Sequence, residues 1–315
     1  MRIGVVVDSA CDLPKPFLDQ HQLAILPITL RIGDHTFVDN RDAAVTQSFY
    51  REHFGQRGQD AETSPFTVEQ IKDLFLQRLA LEYDHVLVLT IAASRSPIHD
   101  NAQQAAHAVL AEYKPVRQKA GQTGPFTVRV IDTQNLFAAQ GVTAVEAVRL
   151  VKAGRNVSEI RETLEALVPD TYGYMLPRDL YFLRERAQKK GDRSVGWLSA
   201  AVGSALEIKP VIRGWRGETT VVDRVRGFEE GAAKLFAFAG ERVKAGLLTP
   251  ALCLSYGGEL KEMEALPGYA DLMTLCRTGK VEVFASVMSM TGAINVGEGA
   301  LALGFAAPAH EFTAG

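Results

Sequence analysis

Within residues 1–140, an apolar run of strand length stops three times at a small cluster of side-chain oxygens, and a helical pattern follows each time. Ile3-Gly4-Val5-Val6-Val7 ends in Asp8-Ser9. Val86-Leu87-Val88-Leu89 ends in Thr90 and then Ser94-Arg95-Ser96, and Val128-Arg129-Val130-Ile131 ends in Asp132-Thr133. Short runs rich in Val, Ile and Leu that alternate with helical segments read as buried parallel strands, so the chain is of the α/β class. Ligands of open parallel sheets sit at the carboxyl edge of the strands, where these polar clusters fall. Ser, Thr and Asp are also good helix caps, and for each cluster taken singly that alternative stands.

The same reading extends along the chain. Asp12-Leu13-Pro14 starts a short helix, and Ile32-Gly33-Asp34-His35 is a hairpin-like excursion between Ala24–Arg31 and Thr36–Val38. Residues 48–54 look helical. Thr67-Val68-Glu69-Gln70 is a capping-box pattern ahead of Ile71, Leu74, Phe75 and Leu79 at helical spacing. Further helices are expected over 97–113, 134–152 and 157–167, the second ended by Gly154. After Val168-Pro169-Asp170 the pattern is less regular. Gly214-Trp215-Arg216-Gly217 joins two strand-like runs as a hairpin, which belongs to an antiparallel or mixed sheet. Helix (229–245), strand (251–256), helix, strand (281–285) and a glycine-rich tail over 292–300 follow. A boundary falls near 155–170, which divides the chain into two lobes.

Bulk properties mainly exclude. A length of 315 residues suits about two domains. A formal charge of -3 without any basic run argues against a polyanion-binding surface. The three cysteines, Cys11, Cys253 and Cys276, form no Cys-x-x-Cys pair, so neither a disulfide framework nor a zinc site is indicated. Cys11 reads as a small buried residue under the first turn, with a reactive thiol as the alternative. Met1-Arg2 runs directly into a strand without a signal peptide, and no apolar stretch is long enough to span a bilayer; a cytoplasmic protein is expected.

Ser96-Pro97 is the best single anion-binding candidate. Serine at the cap and proline in the first turn fix a helix start, whose free N–H groups and positive dipole end favour an oxyanion. Thr63-Ser64 precedes another helix start and presents hydroxyls to the same space. Hydroxyls and helix N-termini without an obligatory lysine suit a carboxylate better than a polyphosphate. Neither a phosphate-binding Gly-Lys loop nor a dinucleotide glycine fingerprint occurs, so no bound nucleotide cofactor is expected. Asp8 and Asp132 are the one acid–base pair the sheet edge offers, with helix capping as the alternative. His99 and His107, eight residues apart on one helix, read as a solvated face. No nucleophile is coupled to a base, which favours a binding protein over a catalyst. The apolar run Trp197, Leu198, Ala201, Val202, Leu206, Ile208 reads as a buried helix. Alternatively, with the small residues Gly292, Ala293, Gly297 and Gly299, it walls an apolar tunnel between the lobes.

These landmarks, in this order, resemble the DegV family over nearly the whole chain. Val7-Asp8-Ser9-Ala10-Cys11-Asp12-Leu13-Pro14 is similar to the family's Thr-Asp-Ser-Thr-Ala-Asp-Leu-Pro start, and Thr63-Ser64-Pro65 to its Thr-Ser-Gln-Pro element. Leu89-Thr90-Ile91 with Ser96 and Ala102 falls where the family has Leu-Thr-Ile-Ser-Ser-Lys-Leu-Ser-Gly-Thr-Tyr. Val130-Ile131-Asp132-Thr133 with Gln140-Gly141 resembles Val-Ile-Asp-Ser and Gln-Gly. Leu206-Glu207-Ile208-Lys209-Pro210, followed by Arg224-Val225-Arg226-Gly227, matches Leu-Asn-Ile-Lys-Pro and the family's later Val-Arg. Asn295-Val296-Gly297-Glu298-Gly299-Ala300 is similar to His-Val-Gly-Pro-Gly-Ala. Each motif is weak alone, whereas six in register are strong.

The resemblance implies a two-lobed α/β fold. An N-terminal parallel sheet flanked by helices (residues 1–160) would carry the head-group loops. A C-terminal α/β domain with a mixed or antiparallel sheet (161–315) would close a tunnel around a long-chain fatty acid. Such proteins serve in bacteria as the acyl-binding subunit of a fatty acid kinase, whose separate ATP-binding partner phosphorylates the carboxylate. By this resemblance the head group is held by Thr63, Ser96 and Asn295, with Ser64, Asp8 and Ser9 nearby. Three departures stand out. Ser-Gly-Thr is here Ser96-Pro97-Ile98, histidine is Asn295, and the basic stretch after Val-Arg is Phe228-Glu229-Glu230. The last bears on docking of a kinase. The alternatives are an enzyme or sensor of a small carboxylate, with Asp8 and Asp132 at its site, and a lipid binder with no kinase role.

Overall fold

The computed structural model describes residues 2–52, 61–181 and 208–313. β1 (Ile3–Asp8) leads through α1 (Lys15–Gln20) into β2 (Ala24–Leu26), and an excursion follows through β3 (Ile28–Ile32), β4 (His35–Asp39), α2 (Ala43–Glu52) and β5 (Ala61–Pro65). A helical stretch made of α3 (Val68–Leu74), a π-helical turn (Phe75–Leu79) and α4 (Ala80–Glu82) returns to β6 (His85–Thr90). Next come α5 (Ile98–Lys119), β7 (Thr127–Asp132), α6 (Phe137–Lys152) and α7 (Val157–Leu167). The second half runs β8 (Thr171–Leu176), β9 (Ile208–Trp215), β10 (Glu218–Arg226), α8 (Phe228–Ala245), β11 (Ala251–Tyr256), α9 (Leu260–Glu264), α10 (Tyr269–Thr278), β12 (Glu282–Val287), α11 (Met290–Val296) and β13 (Leu301–Ala306).

The three apolar runs are the parallel strands β1, β6 and β7. With β2 they form one sheet in the order β2-β1-β6-β7, all parallel. The second sheet, β10-β9-β8-β13-β11-β12, is antiparallel except for the parallel pair β11–β12. A small antiparallel sheet, β4-β3-β5, stands between them in the chain. The fold is therefore two-lobed and α/β, with a parallel N-terminal sheet and a mixed C-terminal one.

Local chemistry accounts for the helix ends. Thr67 accepts from the Gln70 amide while the Gln70 side chain accepts from the Thr67 amide, a complete capping box. Asn156 accepts from the amides of Ser158 and Glu159 at the start of α7. Gly154, at φ +72°, turns the chain out of α6. Asp12 does not cap α1. That helix begins after Pro14 without a side-chain cap, and the Asp12 carboxylate is used elsewhere.

Helix α6 joins the lobes. Every residue from Phe137 to Val148 is buried, because one side packs on β1 and β6 and the other on β8, β11 and β13. A helix buried all round has no polar face, which explains its Ala- and Val-rich sequence. The approach to the second sheet is at backbone distance: a Cβ on Gly304 would lie 2.3 Å from the Ala139 Cα, and one on Gly173 2.9 Å from the Ala139 Cβ.

Several elements differ from the sequence expectations. Glu62-Thr63-Ser64-Pro65 precedes the α3 start as expected, but it is itself strand β5, paired to β3. The glycine-rich tail contains a helix, α11, capped by Ser289, whose hydroxyl accepts from the Gly292 amide. The segment Trp197 to Leu206, read as a buried helix or tunnel wall, lies outside the described residues.

Candidate functional site

The strand order reverses between β1 and β6, because the chain goes from β1 to β2 on one side and to β6 and β7 on the other. Such a switch point opens a crevice at the carboxyl ends of the strands. Asp8 and the Thr90-Ile91 step flank it. Asp8 is fully buried and accepts three hydrogen bonds: from Ile91 N at 2.6 Å, Ala10 N at 3.0 Å and Gln140 Nε2 at 3.1 Å. Ser9, also fully buried, accepts from Ile28 N at 3.1 Å. Both side chains therefore brace the strand ends and the excursion that begins at β3. Asp132 accepts from Ala93 N and Gln134 N. With β6 between β1 and β7, the carboxylates of Asp8 and Asp132 each hold backbone amides and share no hydrogen bond.

Burial outweighs the three donors and pushes the Asp8 carboxyl up to about 6. Its folded pKa lies above the ordinary 3.8, so its stabilising contribution is complete below pH 3.8 and is lost as pH rises through about 6. The gap between 3.8 and about 6 is worth ~3 kcal/mol. Burial also raises Asp12 and Asp39, against the pull of Arg41, in the same direction. At Asp84 burial acts upward too, yet the hydrogen bonds from Arg2 and Arg117 hold that carboxyl well below its ordinary range, and its contribution is lost only at more acid pH. Burial lowers the pKa of His21 and His310, which act the opposite way in this window, so the difference between variants is the test. Chemical denaturation from pH 4 to 7.5 should show the parent losing stability with rising pH relative to Asp8→Asn, and parallel profiles would contradict the assignment to Asp8.

The other candidates surround a small apolar cluster. Leu30, Ile32, Phe49, Met290, Ala293 and Ile294 are buried together, with Phe37, Tyr50 and Ala61 packed on them. Thr63 sits opposite Leu30 in the β3–β5 register and shares a strand face with Ala61. It is half-buried, and Ser64, on the opposite face, is exposed. Asn295 lies on α11 beside Ile294, half-buried, and its Nδ2 donates to Thr291 O at 2.6 Å. Ser96 does not cap α5, because Pro97 occupies that position and cannot cap with its side chain. The Ser96 hydroxyl instead accepts from Ile98 N at 3.3 Å, a bond that uses an oxygen lone pair and not the hydroxyl proton. Asn101 Nδ2 donates to Phe66 O at 2.8 Å, which ties the start of α5 to the end of β5. Thr63 and Asn295 thus lie on the two elements, β5 and α11, that contribute Ala61 and Ile294 to this apolar cluster, while the first turn of α5 is tied to Phe66, which packs on the N-terminal core.

A buried polar network that the sequence reading did not identify holds this cluster in place. Arg41 Nη1 donates to Asp12 Oδ1 at 3.1 Å, and Nη2 to Ser286 Oγ at 2.8 Å and Val287 O at 3.0 Å. Asp12 also accepts from Ser255 Oγ and Ser289 N, and Asp39 from Thr291 N and Thr291 Oγ1. Two carboxylates of the N-terminal half thereby hold the first turn of α11, where partial positive charge favours anions. The sequence signal was present in the run Asp39-Asn40-Arg41-Asp42, but two of its partners, Ser286 and Val287, lie about 245 residues away.

Two of the tail glycines, Gly292 and Gly299, lie against neighbouring side chains. A Cβ on Gly292 would meet Met288 Cγ at 2.7 Å and one on Gly299 would meet Arg178 Cδ at 2.8 Å. Gly297 and Gly299 have positive φ and let the turn lie against the backbone of Gly257. A cleft of about 660 Å³ runs beside edge strand β2, lined by Leu18, Gln22, Ile25, Arg78 and Tyr83 among others, and none of the candidate residues lines it. Cys11 is fully buried, and desolvation pushes its thiol well above the ordinary range, so it is not a reactive thiolate. His107 is exposed as expected; His99 is half-buried, and its ring bonds to Thr90 Oγ1 and Gln103 Nε2. Among the described residues no His, Cys, Asp and Glu group is arranged to hold a metal ion, and no helix is long and apolar enough to cross a membrane.

Comparison with known proteins agrees with this architecture. The family model described as "Uncharacterised protein, DegV family COG1307" matches residues 2–308. A DegV domain-containing protein of Xanthomonas campestris pv. campestris is 59% identical over 314 residues, covering 100% of both chains. Among solved structures, that of DegV from Bacillus subtilis, described as a fatty acid binding protein, superposes with a TM-score of 0.75 at 20% identity, covering 98% of this chain and 100% of that one. A stearic acid-binding protein from Eubacterium ventriosum gives a TM-score of 0.75 at 21% identity, covering 97% and 98%.

Proposed function

The chain belongs to the DegV family, and from that premise we propose that it binds a long-chain fatty acid between its lobes and has no catalytic centre of its own. The carboxylate is held by Thr63 and Ser96, with Asn295 as a third contact and Ser64, Asp8 and Ser9 behind them. In this reading residues 1–160 supply the head-group loops, residues 161–315 close the acyl tunnel, and the protein works in the cytoplasm. The observation that carries the reading is the meeting of β5 and α11 at one apolar cluster, with the first turn of α5 tied to Phe66 just after β5. An apolar surface edged by hydroxyls and an amide suits an amphiphilic acid. Burial of about fourteen methylenes at ~0.8 kcal/mol each provides on the order of 11 kcal/mol before ordering costs.

Presentation of the carboxylate to a separate ATP-binding kinase is the finer part of the proposal. Glu229 and Glu230 stand in the first turn of α8, where acid is favourable to the helix, and pair with Arg178 and Lys234. Acid at the position where relatives carry bases weakens that partnership.

Native mass spectrometry of protein purified from cells should find a C16–C18 acid bound. Ser96→Ala and Thr63→Ala should each weaken its binding by about 1.5–3 kcal/mol, through loss of a charge-assisted hydrogen bond. The pair should be non-additive, because both hydroxyls address one carboxylate. Titration calorimetry reads the effect, and unchanged affinity in both single variants would remove the head-group assignment. Acyl phosphate formation with an added kinase and ATP tests the presentation step in the same samples.

A further inference from the structure

The β9–β10 hairpin turns on Arg216-Gly217, both at positive φ (50° and 79°), the two-residue form whose twist matches its strands. Its tip does not end in solvent. Gly217 N donates to Gln134 O at 2.8 Å, and Gly217 O accepts from Ser94 Oγ at 2.6 Å. Arg95 Nη2 donates to Thr219 Oγ1 at 3.0 Å. Asp132 then links the two loops the tip touches, accepting from Ala93 N at 3.1 Å and Gln134 N at 2.8 Å. The result is a closed circuit from Ser94 through Gly217, Gln134 and Asp132 to Ala93. It joins the C-terminal sheet to the loops after β6 and β7.

The tip itself is fixed from behind. Trp215 Nε1 and Arg216 Nε both donate to Pro169 O, at 2.8 and 3.2 Å. The Arg216 guanidinium lies 4.5 Å above the Trp215 ring, which stacks on Tyr172 at 5.6 Å. The loop it grips is anchored at its start, through Ile91 N to Asp8, Ala92 N to Asn135 O and Ala93 N to Asp132, and meets the tip beyond that point. Residues 91–97 form no regular element, and Ser94 is exposed, so nothing in its packing calls for a hydroxyl.

We propose that Ser94 is a positioning residue. Through the Gly217 carbonyl, the C-terminal lobe sets the loop that carries Ser96, two residues further on, so head-group binding in one lobe depends on a contact with the other. This rests on the fatty-acid reading above. A donor held in place before the ligand arrives spares the ordering cost at binding.

Stearate binding by Ser94→Ala and Ser94→Thr tests the inference. Ser94→Ala should bind stearate about tenfold more weakly, the effect of one lost hydrogen bond that orders the loop. Ser94→Thr keeps the hydroxyl and should restore the parental affinity. Hydrogen exchange gives the readout that a merely structural role would not move. Stearate should slow exchange at Gly217 N–H in the parent, and should not do so in Ser94→Ala even at saturation. Parental affinity in Ser94→Ala, with Ser96→Ala impaired, would overturn the positioning role and leave the fatty-acid reading standing. An equal loss in both Ser94 variants would also overturn it. A parent that binds no stearate would overturn both.

Discussion

Replacing Arg41 by methionine should destabilise the folded protein by about 3–5 kcal/mol, the cost of leaving a buried carboxylate without its cation. The Arg41 side chain is 6% exposed and that of Asp12 is fully buried, so solvent cannot take over the charge. Asp12 and Asp39 would both lose the guanidinium that opposes their desolvation, and both would become harder to ionise. The double variant Arg41→Met with Asp12→Asn should recover part of the loss, since the stranded charge is removed together with its partner. Urea denaturation at pH 7 measures all three. A loss below about 1 kcal/mol in the single variant would mean that the network is a surface pair in all but name. Met is close in length to Arg without its charge, so a large loss is not explained by a cavity alone.

Gly304→Ala should cost about 3 kcal/mol or more, for a single methyl group. The new Cβ would lie 2.3 Å from the Ala139 Cα, 2.6 Å from its nitrogen and 2.9 Å from the Ala138 carbonyl carbon. These are backbone atoms of a helix fixed on both sides, so no side chain can swing away. Gly173→Ala provides the contrast, because its nearest obstacle is the Ala139 Cβ at 2.9 Å. Ala139→Gly should therefore partly rescue Gly173→Ala and leave Gly304→Ala as unstable as before. Thermal melts of the four variants decide it. Rescue of both glycine variants would show that helix and sheet can move apart, against the packing described above.

What the sequence made legible follows from how local each signal is. β1 and β6 were readable because a strand covered on both faces is a continuous apolar run, and β7, an edge strand with Arg129 exposed, because Val128, Val130 and Ile131 still mark it. The limits of α7 were readable because Asn156 states its start in one residue. The hairpin at Arg216-Gly217 was readable for the same reason. β8 and β13 were not read, although both are fully buried, because Tyr-Gly-Tyr and Leu-Gly-Phe interrupt their apolar character with the glycines that α6 requires. α11 was hidden by its own glycine and by a cap at Ser289 that precedes no helical period. Thr63 and Ser64 looked equivalent in sequence, and only the strand's alternation separates them, one half-buried and one exposed. Arg41 was invisible as a site residue because its partners come from both ends of the chain, Asp12 from the first turn and Ser286 and Val287 from β12.

Helix α6 constrains how the two lobes can move. Proteins that close on a ligand by a hinge have a crevice between lobes connected by a few exposed residues, and the lobes part with little loss of buried surface. Here the connection is a helix buried from Phe137 to Val148, in contact with a sheet on each side. Swinging the lobes apart would strip apolar surface from one of those sheets and break the backbone contact at Gly304. A clamshell opening of that size resembles partial unfolding more than a breathing motion. Under the proposed fatty-acid function, a ligand would enter by displacement of the elements around the β5 and α11 cluster, while the spine between the two sheets stays closed.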